Sequence, residues 1–347
     1  MAARWCLRVG VALALGGSLL LSGEAGSGAD AADGMSRWKL AYEGSDWIGV
    51  VRVDGSGRHR TTLPGLPDPS PDGRKLTYTS RTGSHMRLYI ADRGGRGRRF
   101  LTQSEDDCLG AVWSPDSKRL LFTSGCDLAI WRIGVVDADG SGGRVLTGRW
   151  SANAAWSPDG RTIAFTRLGC RCIVLMDEDG RNQRPIRGHY PRPDPAGAYL
   201  TWSRDGRRVF FLPYQTSYVA PRGLWVMNRD GSGAQILTPA LPKVRDFELS
   251  PDGRKIVLSA PGRPDRGWEI YSVNTDGSGL RQLTHNRGVH DVGPRWSPDA
   301  RKLAFSRGQN GGWKLYVMNA DGSSQIKLGN SSIEEEEFGW LPAGSPL

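Results

Sequence analysis

The chain has 347 residues, 47 of them Gly, 21 Pro and 13 Trp, with a formal net charge of +10. Such punctuation suits many short strands joined by tight turns. The positive charge fits contact with anionic envelope polymers or lipid head groups. It does not read as a nucleic-acid signature: no tract interleaves aromatic and basic residues, and many arginines, such as Arg74, Arg161, Arg207 and Arg254, simply follow a turn.

At the amino terminus, Arg4 and Arg8 precede an apolar run from Val9 to Leu21 and then small residues. This pattern reads as a secretory signal with leader over residues 1–31, cut after Ala25 or Ala31. The run falls short of the ~20 apolar residues of a membrane span. An exported location is therefore expected (secreted, periplasmic or envelope-associated), with membrane contact only through an uncleaved signal. Residues 32–37 read as a linker, 38–342 as one repeat domain and 343–347 as a tail.

Along the repeat domain a Ser-x-Asp step, mostly Ser-Pro-Asp-Gly, begins at Ser70, Ser114, Ser157, Ser203, Ser250 and Ser297, 43–47 residues apart. A period of about 40–50 residues marks one four-stranded propeller blade per repeat. The stretch from Val289 to Leu328 shows the whole unit: strand a ends at Trp296, Lys302 to Phe305 is strand b, Leu315 to Met318 is c and Gln325 to Leu328 is d. Pro after Ser and Gly after Asp suit the a–b turn, and x-Asp-Gly is a strong hairpin signal for the c–d turn.

Asp-Gly turns recur at Asp54, Asp139, Asp179, Asp230, Asp276 and Asp321, with a degraded copy at Asp92 to Gly95. Seven c–d turns against six Ser-x-Asp steps imply that one blade is split. Its strand b starts at Trp38, and its strand a is Phe338 to Pro342, where Trp340-Leu341-Pro342-Ala343-Gly344 is a worn copy of the motif. The predicted fold is an all-β, seven-bladed propeller of four-stranded antiparallel blades, closed by pairing the C-terminal strand with the N-terminal blade. Trp113, Trp156, Trp202, Trp296 and Trp340 end strand a in five blades, and a large side chain at one fixed blade position is expected to pack blade on blade.

Trp-Ser-Pro-Asp-Gly-Arg-x-Ile-Ala-Phe at Trp156–Phe165 and Val-Met-Asn-Ala-Asp-Gly-Ser at Val317–Ser323 resemble the repeat of the TolB-type, WD-repeat-like propellers, over about residues 38–342. The resemblance implies a propeller that binds or gates and performs no bond chemistry. Departures from the pattern are seven blades instead of six and no amino-terminal α/β domain. A hydrolase domain of the kind that accompanies peptidase relatives is not expected in the 19 residues after Leu328.

The b–c and d–a loops vary where the turns do not, and strand geometry puts both loop sets on one face. On it are expected His85, His189, Tyr190, Tyr214, Tyr218, Trp268, His285, His290 and Asp291, the candidate partner face. His285, His290 and Asp291 lack the fixed spacing of a metal site. The Asp-x-Asp-Gly turns at Asp137 and Asp177 lack the further ligands of a calcium loop. The repeated Ser is expected to bond its turn backbone instead of acting as a nucleophile.

Cys108 and Cys126 lie equally far from an a–b turn near residue 117 and should face one another across two strands, a reasonable disulfide. Cys170 and Cys172 leave a Cys-x-Cys link or cross-blade pairing open, and four thiolates on zinc is a rival that an oxidising compartment disfavours. The expected function is a monomeric, non-catalytic module, needing no cofactor, that docks a protein, peptide or envelope polymer on its loop face. The alternative is a metal-assisted lyase or hydrolase working in the central funnel.

Overall fold

The computed structural model describes residues 38–43, 47–82, 85–102, 108–125, 131–186, 200–212, 223–241, 243–262, 267–309, 312–329, 338–342 and 344–347. These form seven four-stranded antiparallel sheets, and the only departure from chain order is the split blade. There the strand Phe338–Leu341 pairs with Lys39–Glu43, with Tyr42 opposite Phe338 and Lys39 opposite Leu341. Closure gives this blade its innermost strand and leaves no unpaired gap in the ring. The expected signal and linker over residues 1–37 lie outside the described residues.

Burial fixes which way the blades point. Strand a of blade one is buried throughout, whereas strands d such as His59–Arg60, Arg99–Phe100, Arg144–Val145 and Ile326–Lys327 are exposed. Strand a therefore lies nearest the axis and strand d on the rim.

Each Ser-x-Asp step is a closed hydrogen-bond circuit. Ser157 Oγ donates to Asp159 Oδ1 at 2.5 Å and accepts from Thr162 N–H at 2.9 Å, while Arg161 N–H donates to the same carboxylate oxygen. The other five copies repeat the Ser-to-Asp bond at 2.5–2.6 Å. The bond from Ser157 holds the Asp159 carboxyl below the ordinary carboxylate range. The residue after Asp takes a left-handed backbone, as at Gly160 (φ 68°), and Ala300 adopts it at φ 59° despite its Cβ.

The strand-a tryptophans pack blade on blade, as their fixed position predicts, and they also stitch it. The indole N–H of Trp113, Trp156, Trp202, Trp296 and Trp340 donates to the carbonyl of Asp68, Val112, Ala155, Glu248 and Arg295 respectively, at 3.2–3.3 Å. Each acceptor immediately precedes the strand-a terminal residue of the previous blade. Pro69 and Leu249 hold the position in the other two blades, so two of the seven joints lack this bond.

Candidate functional site

The a–b and c–d turns lie together, because each c–d turn donates a backbone N–H to the a–b turn of its own blade, as Arg93 does to Arg74 O and Ala320 to Arg301 O. The b–c and d–a loops occupy the other end of the ring, as antiparallel strands require. The two ends differ in what they offer a ligand.

On the loop side, blades six, seven and one present an arc of aromatic and basic groups. Trp268 opens strand c of blade six (Trp268–Asn274), and Trp47 precedes strand c of blade one (Ile48–Arg52). Both half-buried rings pack on the core shared by blades one and seven, which holds Trp38, Trp313, Phe338 and Trp340. Cations lie over the rings: Lys243 Nζ is 5.3 Å and the Arg245 guanidinium 6.0 Å from the Trp268 centre, and the Arg60 guanidinium is 4.6 Å from Trp47. Each such pair is worth about 0.5–1 kcal/mol at a partly exposed site. His290, at the start of strand a of blade seven (His290–Trp296), accepts the backbone N–H of Trp268 on Nδ1 at 3.1 Å, and its ring centre is 6.4 Å from that of Trp313.

Beneath the arc sits a buried ionic network. Asp291 receives Arg307 through Nε and Nη2 at 2.7 and 2.8 Å, and Asn286 Nδ2 at 2.6 Å. The Asp291 side chain is 0% exposed and that of Arg307 16%. Glu269 Oε2 accepts from Thr284 Oγ1 and its Oε1 from Asn286 N–H, both at 2.6 Å. Burial pushes the Glu269 carboxyl above its ordinary value, and the Asp291 charge adds to the rise. Five side chains from two blades thus lock the loop that carries His285, leaving His285 itself exposed.

Of the sequence-predicted partner face, the structure brings Trp268, His290 and Asp291 together, with Asp291 as a support below the surface. His85 lies at the b–c hairpin of blade two, opposite Thr82. His189, Tyr190, Tyr214, Tyr218 and Cys126 fall outside the described residues, and only the backbone of Cys108 is described. Cys170 and Cys172 are joined to each other, Cα to Cα 5.2 Å, the Cys-x-Cys arrangement of the two options.

The turn side, expected from the sequence to be purely structural, carries a small axial hollow of about 60 Å³. Trp113, Trp156, Trp202 and Leu249 wall it, and Pro115 and Pro158 of the repeated turns contribute its rim. Its indoles are already committed to neighbouring carbonyls. The hollow supplies shape with little directional chemistry.

Residues 56–290 match the TolB beta propeller domain. The chain belongs to that family. Among relatives of this TolB-type propeller, the uncharacterized protein Atu1656 of Agrobacterium fabrum is 29% identical over 55% of the chain and 61% of its own length. Dipeptidyl-peptidase 5 of Porphyromonas gingivalis is 37% identical over 68% of the chain but only 36% of its own length. The chain therefore spans less than two thirds of either relative. The crystal structure of TolB from Acinetobacter baumannii superposes with a TM-score of 0.56 at 18% identity, covering 88% of this chain and 83% of that one, a likeness of fold.

Sequence reasoning missed Trp47, Trp313, Arg60, Lys243, Glu269 and Arg307. One signal was present. Trp131, Trp268 and Trp313 each stand eight residues before the Asp of a c–d turn, a second tryptophan register at the loop end of strand c. The cations and the buried acid carry no repeat signature and gain meaning only from the neighbouring blade.

Proposed function

We propose that this TolB-type propeller is an exported, non-catalytic binding module that docks an acidic segment of a protein, peptide or envelope polymer on the loop face of blades six, seven and one. The observation that carries the reading is the pairing of half-buried Trp47 and Trp268 with Arg60 and Lys243, which offers flat apolar contact beside positive charge, while Arg245 over Trp268 is already paired with buried Asp246. The net charge of +10 would draw an anionic partner toward the ring before contact. The buried Asp291–Arg307 pair holds the platform in place, so docking requires little ordering of the loop.

The test is fluorescence anisotropy with a labelled Glu-rich peptide and with a polygalacturonate oligomer. At least one should bind, and Trp268→Ala or Lys243→Glu should weaken it about ten-fold with the melting temperature held. Binding of neither probe, or equal binding by both variants, would remove the arc from consideration.

A further inference from the structure

The Cys170–Cys172 disulfide is ill suited to a structural role. Only Arg171 separates the two cysteines, and cross-linking positions so close in the chain removes little entropy from the unfolded state. The bond sits in the b–c turn of blade four, where Arg171 N–H donates to Leu168 O at 3.1 Å and Arg171 takes a left-handed backbone at φ 51°. Cys170 is exposed, whereas Cys172 is half-buried against the core of blades three and four.

Its surroundings are those of a reactive sulfur pair. Arg171 lies exposed between the cysteines, while Arg167, the cross-strand partner of Cys172, has its guanidinium held over the Phe165 ring and on Gln183 Oε1. An electropositive, partly exposed setting favours thiolate and so favours the leaving group of an exchange. Beside the turn stands Trp150, 51% exposed and itself at φ 68°. Its carbonyl accepts Leu168 N–H at 2.9 Å, and a Cβ on Gly169 would lie 3.5 Å from Trp150 Cε3, so the ring rests on the residue next to Cys170. A bare indole so exposed offers apolar contact to a chain brought up to the sulfurs.

We propose that Cys170 and Cys172 form a redox-active pair that oxidises thiols on an extended, apolar segment of a partner protein seated on Trp150. A substrate thiolate attacks the exposed Cys170 Sγ. The Cys170–Cys172 bond breaks, its electron pair leaves on Cys172 as thiolate next to Arg171 in the chain, and a mixed disulfide forms. A second substrate thiolate attacks the substrate sulfur of that mixed disulfide and releases Cys170. The substrate gains one disulfide, the pair is reduced, and the two protons lost by the substrate thiols pass to the two cysteines. A small-molecule disulfide such as glutathione disulfide reoxidises the pair by the same exchange.

The mature chain is equilibrated in glutathione mixtures, alkylated and digested, and the redox state is read by mass spectrometry on tryptic peptides 168–171 and 172–181. The pair should become half-reduced at about ten-fold less reductant than the structural bridges of a reference secreted protein. A pair as resistant as the reference would overturn the proposal. With reduced, unfolded ribonuclease and glutathione disulfide, the chain should speed disulfide formation about ten-fold, and Cys170→Ser should abolish the gain. Undiminished turnover by that variant would count equally against it. Arg171→Glu should slow reaction with glutathione about five-fold and Arg171→Lys should not. Trp150→Ser should raise KM for the unfolded protein while leaving the glutathione reaction unchanged, and an equal effect on both substrates would reject the seat.

Discussion

The two ends of this ring are built by opposite means. At the turn end one circuit of Ser, Asp and backbone is copied six times, and every copy satisfies its own polar groups within six residues. At the loop end the polar groups of blades six and seven satisfy one another across the seam, and among the described residues the Glu269, Asn286, Asp291 and Arg307 network occurs once. Stability that is repeated is distributed, so each copy is dispensable in part. A network that occurs once concentrates its cost and its specificity in a few side chains, which is where a partner surface can be tuned without touching the scaffold.

The largest effect expected from that contrast is at the seam. Arg307→Met leaves the fully buried Asp291 with Asn286 alone, and breaking such a pair costs about 3–5 kcal/mol. Denaturant unfolding measures it; a loss under 1 kcal/mol would erase the distinction between the two ends. Ser157→Ala at the turn end removes one circuit and orphans Thr162 N–H, for about 1–2 kcal/mol. Part of that penalty is pH-dependent. The Asp159 carboxyl titrates below its unfolded value, so the wild-type advantage is present above the unfolded pKa and fades as the solution is acidified through the folded one.

The inner strand gives the opposite sign. Burial pushes the Asp68 carboxyl up to about 8. The folded state then holds a proton that the unfolded chain gives up near pH 4, so stability falls as pH rises from about 4 to 8. Asp68→Asn should raise the melting temperature at pH 9 and leave it nearly unchanged at pH 4, readable by calorimetry at the two values. Smallest of all, Ala300→Gly should stabilise by about 0.5–1 kcal/mol by relieving a left-handed alanine, an increment that Gly253→Ala in the neighbouring blade should reverse in sign.

Much of the fold was legible because turn chemistry is local. Ser, Pro, Asp and Gly within six residues specify the a–b turn without reference to anything distant, and the worn copy at Trp340 revealed the split blade. The tryptophan at the end of strand a announced blade packing. Its acceptor did not show, since Val112 and Ala155 offer a backbone carbonyl that any residue would supply. Of the partner face, Trp268, His290 and Asp291 were chosen as loop residues, but the roles diverged. Asp291 supports from below, and the cations over the rings come from loops that nothing in the pattern singled out.

The sequence by itself determined the period, the number of blades, the closure and which end of the ring is uniform, because each is set by residues adjacent in the chain. Tertiary structure alone decided which indole meets which carbonyl, which acid is buried and paired, that Cys170 joins Cys172, and that an axial hollow opens at the turn end. Those features depend on contacts between groups brought close only when the ring closes, and hydrogen bonds, ion pairs and cavities are properties of distance in space, which a linear pattern does not carry.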